Sequence, residues 1–363
     1  MKTILIVIDQ LGVGGAERQL AEILPRLDRK KYQVLIYTLS ANGPCAKKLR
    51  EKGIKVISSS CSKFLLPLSM LKLIRISWKY RPAIIHYYLP KAYLVGSICA
   101  RFSPKAKLIM SRRSLNVYQN KHPYLARIEK KCHRAMHLIL ANSKAILNEL
   151  IHNENVPERK TRLIYNGVRI DQINSPIKNS TPKTLILIIV ANLFPYKGHV
   201  DLLKAFSIAK NDLPSNWQLL CVGRDEGMLT ALKVQSKDSF LDDHVQWLGE
   251  REDVSQLLSI ADIALLCSHQ EGFSNSVLEA MAAKLPLVVT DVGGNSEAVI
   301  NGETGIVVPS KNPQALSKAI VKLSNDKKLR IDMGEAAYQR ANQYFSIQRC
   351  VESHHAVYSE LLD

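Results

Sequence analysis

Both halves of the chain open with the same arrangement of a short apolar strand, a loop and a helix. In the first half, the β-branched run Ile4–Ile8 is followed by a glycine-rich loop at 12–15 and then by a helical pattern. In the second half, Leu185–Val190 is the predicted strand, 193–198 the loop and His199–Ala209 the helix. This order of elements is typical of a parallel α/β sheet, because parallel strands need crossover connections. The sequence therefore predicts two α/β domains.

Further short apolar runs predict the remaining strands of the two sheets. They are Gln33–Leu39, Lys55–Ile57, Ala83–His86, Lys107–Met110, His137–Ala141, Gln218–Val222, Val245–Trp247, Ile263–Leu266 and Leu287–Thr290. The polar segment 171–183, which contains Pro176 and Pro182, predicts the domain boundary. We expect domains at 1–170 and 171–344. A helical pattern from about residue 332 to 362 could cross back, so that 345–363 packs on the first domain.

Positive charge is concentrated in the first half of the chain. The whole sequence has 50 Lys+Arg and 32 Asp+Glu, a net charge of +18. Residues 1–175 contain 32 basic and 10 acidic residues (+22), and residues 176–363 contain 18 and 22 (−4). Residues 52–128 contain 15 Lys+Arg and no acid. This field predicts an anionic partner for the first half, such as nucleic acid, a phosphorylated substrate or an acidic membrane.

Composition and hydropathy exclude several classes of protein. An apolar content of 46% excludes an intrinsically disordered chain. Seven scattered Cys without a CxxC pair predict reduced thiols, with neither a disulfide framework nor structural zinc. The first apolar run ends at Asp9, too early for a signal peptide, and no run approaches the roughly 18 residues of a membrane span. We expect a cytoplasmic protein, soluble or peripheral on the inner face of the cell membrane.

The segment Glu271–Ala282 has several features of a ligand-binding loop. It follows a predicted strand and opens a helix, and Gly272 permits a close approach of the backbone. Three N-cap residue types follow: Ser274, Asn275 and Ser276. Free N–H groups at a helix start attract phosphate, and the carboxylates of Glu271 and Glu279 could accept hydrogen bonds from vicinal hydroxyls of a ribose or hexose. Two Glu at this spacing also fit an ordinary capped helix; the whole segment favours a ligand site.

The spacing of Glu271 and Glu279 matches the E-x7-E motif of the family 4 glycosyltransferases, and the chain resembles that family over most of its length. The resemblance is most specific in the C-terminal half and looser at 40–135. Further segments in the order and spacing of the family are Gly14–Arg18, Ala141–Ser143, Ile164–Val168, Tyr196–His199, Val222–Gly223, Leu248–Gly249, Val292–Glu297 and Asn301–Gly305.

The resemblance implies an α/β fold of the GT-B type, in which two Rossmann-like domains have parallel sheets that face across a cleft. It implies a nucleotide diphosphate sugar bound mainly by the second domain, an acceptor bound by the first, and transfer with retention of anomeric configuration. Glu271 would lie beside the donor sugar and Glu279 beside the ribose hydroxyls. The loop residues that would contact the donor are Gly272, Phe273, Ser274, Asn275 and Ser276.

The resemblance also implies catalysis without a metal or other cofactor, and the sequence contains no Asp-x-Asp motif. Lys197, in a Pro-Tyr-Lys-Gly turn, is then the leading candidate to stabilise negative charge on the leaving nucleotide. The family usually has an Arg about five residues earlier, where this chain has Asn192, which we expect to contact the donor. By pattern, Arg224 is the nearest substitute for that cation. Which group removes the acceptor proton is left open; in a covalent route Glu271 would be the nucleophile.

Gly14 and Gly15 could turn backbone N–H groups toward the diphosphate or the acceptor, or could form an ordinary tight turn. A nicotinamide-binding loop is disfavoured, because Glu17 stands where the third glycine of G-x-G-x-x-G belongs. Three residues are candidates for acceptor binding. They are His86, at the end of a predicted strand, and the pair Arg112 and Arg113, after the next strand.

The segment 63–81 combines large apolar residues with five cations and no acid. A helix from about Pro67 would align Leu68, Leu71, Ile74 and Trp78, with Lys72, Arg75 and Lys79 on a neighbouring stripe. That pattern fits an anionic membrane surface, and it equally fits a core-facing helix with a basic outer face. Nucleic acid is the disfavoured partner, because few aromatic residues are interleaved with the cations and no binding motif is present.

These observations predict a glycosyltransferase that moves a hexose or N-acetylhexosamine from a nucleotide diphosphate sugar, UDP-linked by family preference, to a saccharide acceptor. A lipid-linked acceptor in lipopolysaccharide, O-antigen or capsule synthesis is expected. A sugar-nucleotide epimerase or a phosphorylase on the same fold is the alternative enzyme. A nucleotide-sugar or nucleic-acid binding module is the alternative without catalysis.

Overall fold

The computed structural model describes residues 1–40, 43–59, 66–115, 123–170 and 184–363. The chain divides into two compact units. The N-terminal unit consists of Met1–Gly167 together with Ile347–Asp363, and the C-terminal unit is Val168–Ser346. The predicted boundary segment 171–183 lies outside the described residues.

The N-terminal unit contains a seven-stranded parallel sheet in the order β3-β2-β1-β4-β5-β6-β7. Its strands are β1 (Lys2–Ile8), β2 (Tyr32–Thr38), β3 (Lys55–Ser58), β4 (Ile84–Tyr88), β5 (Lys107–Arg112), β6 (Leu138–Ala141) and β7 (Thr161–Leu163). The central strands are apolar and buried on both faces, as a parallel sheet covered by helices requires.

Helices cover both faces of this sheet. They are α1 (Gly15–Ile23), α2 (Pro44–Glu51), α3 (Leu66–Tyr80), α4 (Pro90–Cys99), α5 (Pro123–Ala135), α6 (Lys144–Asn148) and the last helix of the chain, α14 (Ile347–Leu362). Apolar residues of α1, α2 and α14 form one core with the sheet, and those of α3, α4 and α6 form the core on the other face. Short single-turn segments follow α1, α4 and α6.

The C-terminal unit contains a six-stranded parallel sheet in the order β10-β9-β8-β11-β12-β13. Its strands are β8 (Leu185–Val190), β9 (Trp217–Val222), β10 (Val245–Gly249), β11 (Ile263–Leu266), β12 (Leu287–Thr290) and β13 (Gly305–Val308). Its helices are α7 (His199–Ala209), α8 (Leu229–Asp238), α9 (Val254–Ile260), α10 (Asn275–Ala282), α11 (Asn295–Ala298), α12 (Pro313–Asn325) and α13 (Lys327–Phe345).

The predicted α/β fold of the GT-B type, with two parallel-sheet Rossmann-like domains, is confirmed. Two short strands were not predicted: β7, which is three residues long, and β13, which is four. The predicted helical pattern from residue 332 to 362 is two helices, since Ser346 adopts an extended conformation between α13 and α14. Among the described residues, no helix combines the length and the apolar character needed to cross a bilayer.

Candidate active site

In the C-terminal unit, three side chains meet at the carboxyl ends of two neighbouring strands, β8 and β11. Lys197 ends a single 3-10 turn after β8, and Ser268 and Glu271 follow β11. The Lys197 ammonium lies 2.6 Å from Glu271 Oε1, and the Ser268 hydroxyl donates to the same oxygen at 2.7 Å. Ser268 is fully buried, while the side chains of Lys197 and Glu271 keep 19% and 10% of their surface exposed. Both side chains can therefore contact a ligand, while the hydrogen bond from Ser268 fixes the orientation of the Glu271 carboxylate.

Close backbone packing at Gly198 positions Lys197. Gly198 has φ +74° and lies between the turn and α7. A Cβ at this position would stand 2.0 Å from the carbonyl oxygen of Cys267, at the end of β11. Only glycine combines this left-handed conformation with this approach, so the turn that carries Lys197 lies directly against the strand that leads to Glu271.

A second glycine contact holds the loop that carries Glu271. Gly293 has φ +54°, and a Cβ there would stand 1.9 Å from the Glu271 carbonyl oxygen. The next amide, of Gly294, donates to the Gly272 carbonyl at 2.9 Å. The Val292–Glu297 segment, which the sequence singled out, thus acts as a support for the Glu271–Gly272 backbone.

The start of α10 lies where the sequence predicted a helix N-terminus. Ser274 occupies the N-cap position, but its hydroxyl makes no capping bond and lies 3.0 Å from the Ser276 hydroxyl. Asn275 is buried, and Glu279 is partly exposed in the second turn of α10. Ser276 and Glu279 are three residues apart and so share one face of the helix.

The Phe273 side chain, an expected donor contact, is largely buried. It is 5% exposed, and its ring packs on Phe345 with centroids 5.4 Å apart. That packing anchors the loop to the end of α13, and donor contact by Phe273 stays a prediction.

Asn192 and Arg224 lie at the ends of the adjacent strands β8 and β9. The Asn192 side-chain oxygen accepts from the Arg224 amide at 3.0 Å, which links the two loops. The Arg224 guanidinium pairs with Glu226, its Nε donating at 2.8 Å, and about half of its side chain is exposed. A substitute role for Arg224 at the donor phosphates stays a prediction. In that role the Arg224 guanidinium would have to leave Glu226 and bind the phosphates instead.

Sequence reasoning did not identify Ser268 or the pair His269 and Asp201. His269 Nε2 lies 2.7 Å from an Asp201 carboxylate oxygen, and the His269 amide donates to the Tyr196 carbonyl at 2.7 Å. These bonds tie the loop after β11 to the turn after β8. Ser268 and His269 follow β11 closely, which was a usable signal, because ligands bind at the carboxyl ends of parallel strands.

In the N-terminal unit, Gly14 is the N-cap of α1 and Gly15 its first residue. The Glu17 carboxylate lies over this turn, so close that a Cβ on Gly14 would stand 2.5 Å from one of its oxygens. Burial raises the pKa of the Glu17 carboxyl. A buried carboxylate at the helix start competes with an anionic ligand for the same N–H groups. Donor contact at Gly14 and Gly15 stays a prediction.

Two of the three residues expected to bind acceptor, His86 and Arg112, are buried and bonded within the unit, and acceptor binding by them stays a prediction. His86 is inside β4, which continues to Tyr88; its ring is 0% exposed and hydrogen-bonds to Tyr358 at 2.9 Å and Ser111 at 2.8 Å. Burial holds the pKa of His86 well below its usual range. His86 therefore joins the sheet to α14.

Arg112 is 3% exposed, and its guanidinium donates to two carboxylates, Glu129 at 3.3 Å and Glu154 at 3.0 Å. His133 bonds to Glu154 as well, so these four side chains form one buried cluster inside the unit. Arg113 is partly exposed; it donates to the Asn166 side chain at 2.5 Å and lies over the Tyr88 ring. Acceptor binding by Arg113 stays a prediction.

Among the described residues, no group of three or more His, Cys, Asp or Glu side chains has an arrangement that could hold a metal ion.

Two family models match consecutive parts of the chain. The model described as Glycosyltransferase Family 4 matches residues 13–172, and the model described as Glycosyl transferases group 1 matches residues 171–340. Together they span both units of the structure.

Curated relatives resemble the chain over most of its length. A capsular polysaccharide biosynthesis glycosyltransferase, CapM of Staphylococcus aureus, is 26% identical over 317 residues, which is 81% of each chain. The N-acetylgalactosamine-N,N'-diacetylbacillosaminyl-diphospho-undecaprenol 4-alpha-N-acetylgalactosaminyltransferase of Campylobacter jejuni is 25% identical over 363 residues, covering 96% of this chain and 97% of its own.

The fold is similar to that of Anabaena Alr3699/HepE, solved in complex with UDP. The TM-score is 0.86 at 23% sequence identity, and the match covers 99% of this chain and 100% of the other. At 23% identity, this similarity establishes the fold alone.

Proposed function

The chain belongs to family 4 of the glycosyltransferases, and from this we propose that it transfers a hexose or N-acetylhexosamine from a nucleotide diphosphate sugar to a lipid-linked saccharide. Glycosyltransferase activity follows from the family. The donor, the acceptor and the stereochemistry are the parts that we propose. The observation that carries the proposal is the Lys197–Glu271–Ser268 arrangement beside the start of α10.

In this proposal the donor binds to the C-terminal unit. Glu279, which is partly exposed in the second turn of α10, accepts hydrogen bonds from the ribose hydroxyls, and the amides at the start of α10 approach the diphosphate. Lys197 stabilises the negative charge that develops on the leaving phosphate when the glycosidic bond breaks. We propose a UDP-linked donor; the complex of the HepE structure with UDP supports this choice.

Glu271 has a different proposed role, beside the donor sugar. Its Oε1 already accepts from Lys197 and Ser268, which holds the carboxylate in one orientation. We propose retention of anomeric configuration, with the leaving phosphate taking the acceptor proton, and transfer without a metal ion. Lys197 and the backbone N–H groups then supply the positive charge that a metal ion would otherwise supply.

We propose that the acceptor binds to the N-terminal unit, near Arg113, and that it is a saccharide on a lipid carrier. The name of the Campylobacter jejuni relative, which acts on a diphospho-undecaprenol glycan, supports a lipid-linked acceptor. The name of the Staphylococcus aureus relative supports a role in the assembly of surface polysaccharides such as capsule, lipopolysaccharide or O-antigen.

The test is turnover of a panel of UDP-, GDP- and ADP-sugars with a membrane lipid extract as the source of acceptor. We expect transfer from a UDP-sugar, with Lys197→Ala lowering kcat by roughly 100-fold or more because charge on the leaving group is no longer stabilised. Glu279→Ala should mainly raise the donor KM. Lys204→Ala, which removes an exposed lysine of α7, is the matched control.

Wild-type rates in both site variants would contradict the proposed site. Product formed from the donor alone would contradict transfer and favour an epimerase.

A further inference from the structure

The large apolar side chains that the N-terminal unit exposes are concentrated on one layer of helices. Helices α3, α4 and α5 lie on the same face of the sheet, where α3 contacts α4 and α4 contacts α5. Their inward residues, such as Leu73 and Ile76 of α3 and Tyr93 of α4, fill the core on that face. A second set of apolar residues on the same helices is exposed to solvent.

This outer set consists of seven large apolar residues, each 46–60% exposed. They are Leu68, Leu71, Trp78, Ile98, Phe102, Tyr124 and Ile128. In the rest of the described part of this unit, the only exposed large apolar side chains are those of Met1 and Val13. Clusters of exposed apolar side chains on one surface mark contact sites, whereas single ones are ordinary.

One hydrogen bond shows that the set spans more than one element. The Trp78 indole N–H donates to the Phe102 carbonyl at 3.0 Å, which joins α3 to the turn after α4. Along α3, Leu68, Leu71 and Trp78 follow helical spacing on the outward side. The sequence left open whether this stripe faces a membrane or the core. In the structure it points outward, except for half-buried Ile74. Leu73 and Ile76 form the contact with the core.

The same elements also carry exposed cations. The exposed ones on the same elements and the turn after α4 are Arg75, Lys79, Arg101, Lys105, Arg127, Lys130, Lys131 and Arg134. Residues 66–115 contain no acid, and in α5 the one acid is Glu129. Glu129 is 0% exposed and pairs with Arg112. We call the seven apolar residues and these eight cations the apolar–basic face.

We propose that the apolar–basic face binds the surface of an anionic lipid bilayer. Its cations would lie at the level of the headgroups, and Trp78, Phe102 and the aliphatic residues would enter the boundary between headgroups and acyl chains. A second copy of the chain is a poor occupant, because the same face would bring cations against cations. Nucleic acid would use the cations and leave the leucine and isoleucine side chains in water.

This inference goes beyond the proposed transferase activity and is tested without donor or acceptor. Vesicle binding is measured without substrates, so its failure would contradict the membrane proposal alone, and failure of turnover would contradict the proposed transferase activity alone.

The experiment is flotation of the full chain with vesicles of phosphatidylcholine alone or with about one-third phosphatidylglycerol. We expect binding to the anionic vesicles, weakened by salt, and a blue shift of Trp78 fluorescence on binding. Trp217 is buried and Trp247 is only partly exposed in the C-terminal unit, so most of the shift should come from Trp78 and be lost in Trp78→Phe. Retention of the shift in Trp78→Phe would contradict insertion of this residue.

Two sets of variants separate the apolar and the charged contributions. Arg75→Gln, Lys79→Gln and Arg127→Gln together should weaken partitioning on the order of 100-fold, because each cation near the surface contributes roughly fivefold. Leu71→Ser, Ile98→Ser and Phe102→Ser together should weaken it roughly tenfold or more. All six side chains are exposed, so the variants should fold normally.

The matched control makes the same kind of change in the C-terminal unit. Ile208→Ser, Val234→Ser and Phe240→Ser remove three apolar side chains that are 49%, 55% and 82% exposed, and this variant should bind vesicles like the wild type. Equal binding to neutral and anionic vesicles, equal loss in the control, or a dimer that buries Trp78 in the absence of lipid would overturn the proposal.

Discussion

At the scale of single residues, exposure decides which charged side chain can act on a ligand. Lys197 and Arg112 both follow the pattern of a cation at or just beyond a strand end, and both meet carboxylates. Lys197 keeps 19% of its side chain exposed, whereas Arg112 keeps 3% and contacts two buried carboxylates. A buried arginine that already bonds to two carboxylates would leave them without their partner if it moved to a ligand, while a partly exposed lysine at a strand end is available for chemistry.

Ser268→Ala tests whether Glu271 is held in position by its neighbour. The variant removes the 2.7 Å bond to Glu271 Oε1 and leaves Lys197 in place. We expect kcat to fall roughly 10-fold with little change in the donor KM, since a hydrogen bond to a charged group contributes about 1.5–3 kcal/mol.

Ser310→Ala is the matched control for this variant. The Ser310 hydroxyl donates to the Ser268 carbonyl at 3.5 Å, so it lies in the same region without bonding to Glu271. Steady-state kinetics of both variants provides the measurement. An unchanged kcat in Ser268→Ala, or an equal fall in Ser310→Ala, would argue against positioning by Ser268.

At the scale of elements, glycines set how closely the loops at the strand ends approach one another. Gly198 brings the Lys197 turn against β11, and Gly293 brings the next loop against Glu271. The segments that contain them were already identified in the sequence as part of the family pattern. What requires glycine at each position is the close approach of a backbone carbonyl oxygen, about 70 residues away for Gly198 and 22 for Gly293. Such contacts have no local signature.

Gly198→Ala should lower both stability and activity. The added Cβ would collide with the Cys267 carbonyl and would also strain a backbone at φ +74°, and we expect a loss of about 2–3 kcal/mol of unfolding free energy. Gly302→Ala isolates the strain, because Gly302 has φ +84° with nothing within 4 Å of an added Cβ; it should cost only about 1 kcal/mol. Denaturant titration measures both, and equal losses would contradict the close-approach explanation.

Helix α14 introduces a pH dependence into the stability of the N-terminal unit. His354 is 1% exposed, donates from Nδ1 to the Cys350 carbonyl at 2.8 Å, and packs near His86. Burial lowers the pKa of His354 to about 4. The unfolded chain takes up this proton below about pH 6.5 while the folded chain does not, so stability falls as the pH decreases from about 6.5 to 4.

His354→Gln should remove part of that dependence. One such group contributes up to about 3 kcal/mol between those pH values, and unfolding measured by calorimetry at pH 7 and pH 5 gives the difference. His355→Gln, a change at the neighbouring and less buried position, is the control and should keep the wild-type slope. The same slope in His354→Gln would show that other buried groups, His86 among them, account for the effect.

At the scale of the whole molecule, the chain leaves the N-terminal unit after Gly167 and returns to it at Ile347. The core beneath α1 and α2 therefore includes residues from the far end of the sequence, among them Ile347, Cys350, Val357 and Tyr358. Tyr358 is 0% exposed and bonds to His86. A change near the C-terminus should consequently act on the N-terminal sheet.

Tyr358→Ala should destabilise the N-terminal unit by about 3–5 kcal/mol, as expected for loss of a large buried ring. Hydrogen exchange should accelerate in β1 and β4 and remain slow in β8 and β11. Tyr344→Ala, which truncates a 47% exposed ring at the end of α13, should leave exchange in β1 and β4 unchanged. Faster exchange confined to the C-terminal unit in Tyr358→Ala would contradict this assignment of α14.

Sequence by itself determined the two α/β sheets and the segments at their strand ends that match the family. Strand periodicity, glycine loops and the Glu271–Glu279 spacing lie within windows of about ten residues, so local chemistry encodes them. Most predicted strands agree with the structure to within one or two residues, and Leu185–Val190, Ile263–Leu266 and Leu287–Thr290 agree fully.

Only the tertiary structure decided which candidate side chains face solvent and what each one contacts. His86 and Arg112 have the right residue types for an acceptor site, yet α14 covers the first and two distant carboxylates neutralise the second. The outward stripe of α3 was equally compatible with a core from its sequence. Burial depends on what packs against a residue from elsewhere in the chain, and a charge inside a protein is stable only with partners that the fold brings to it.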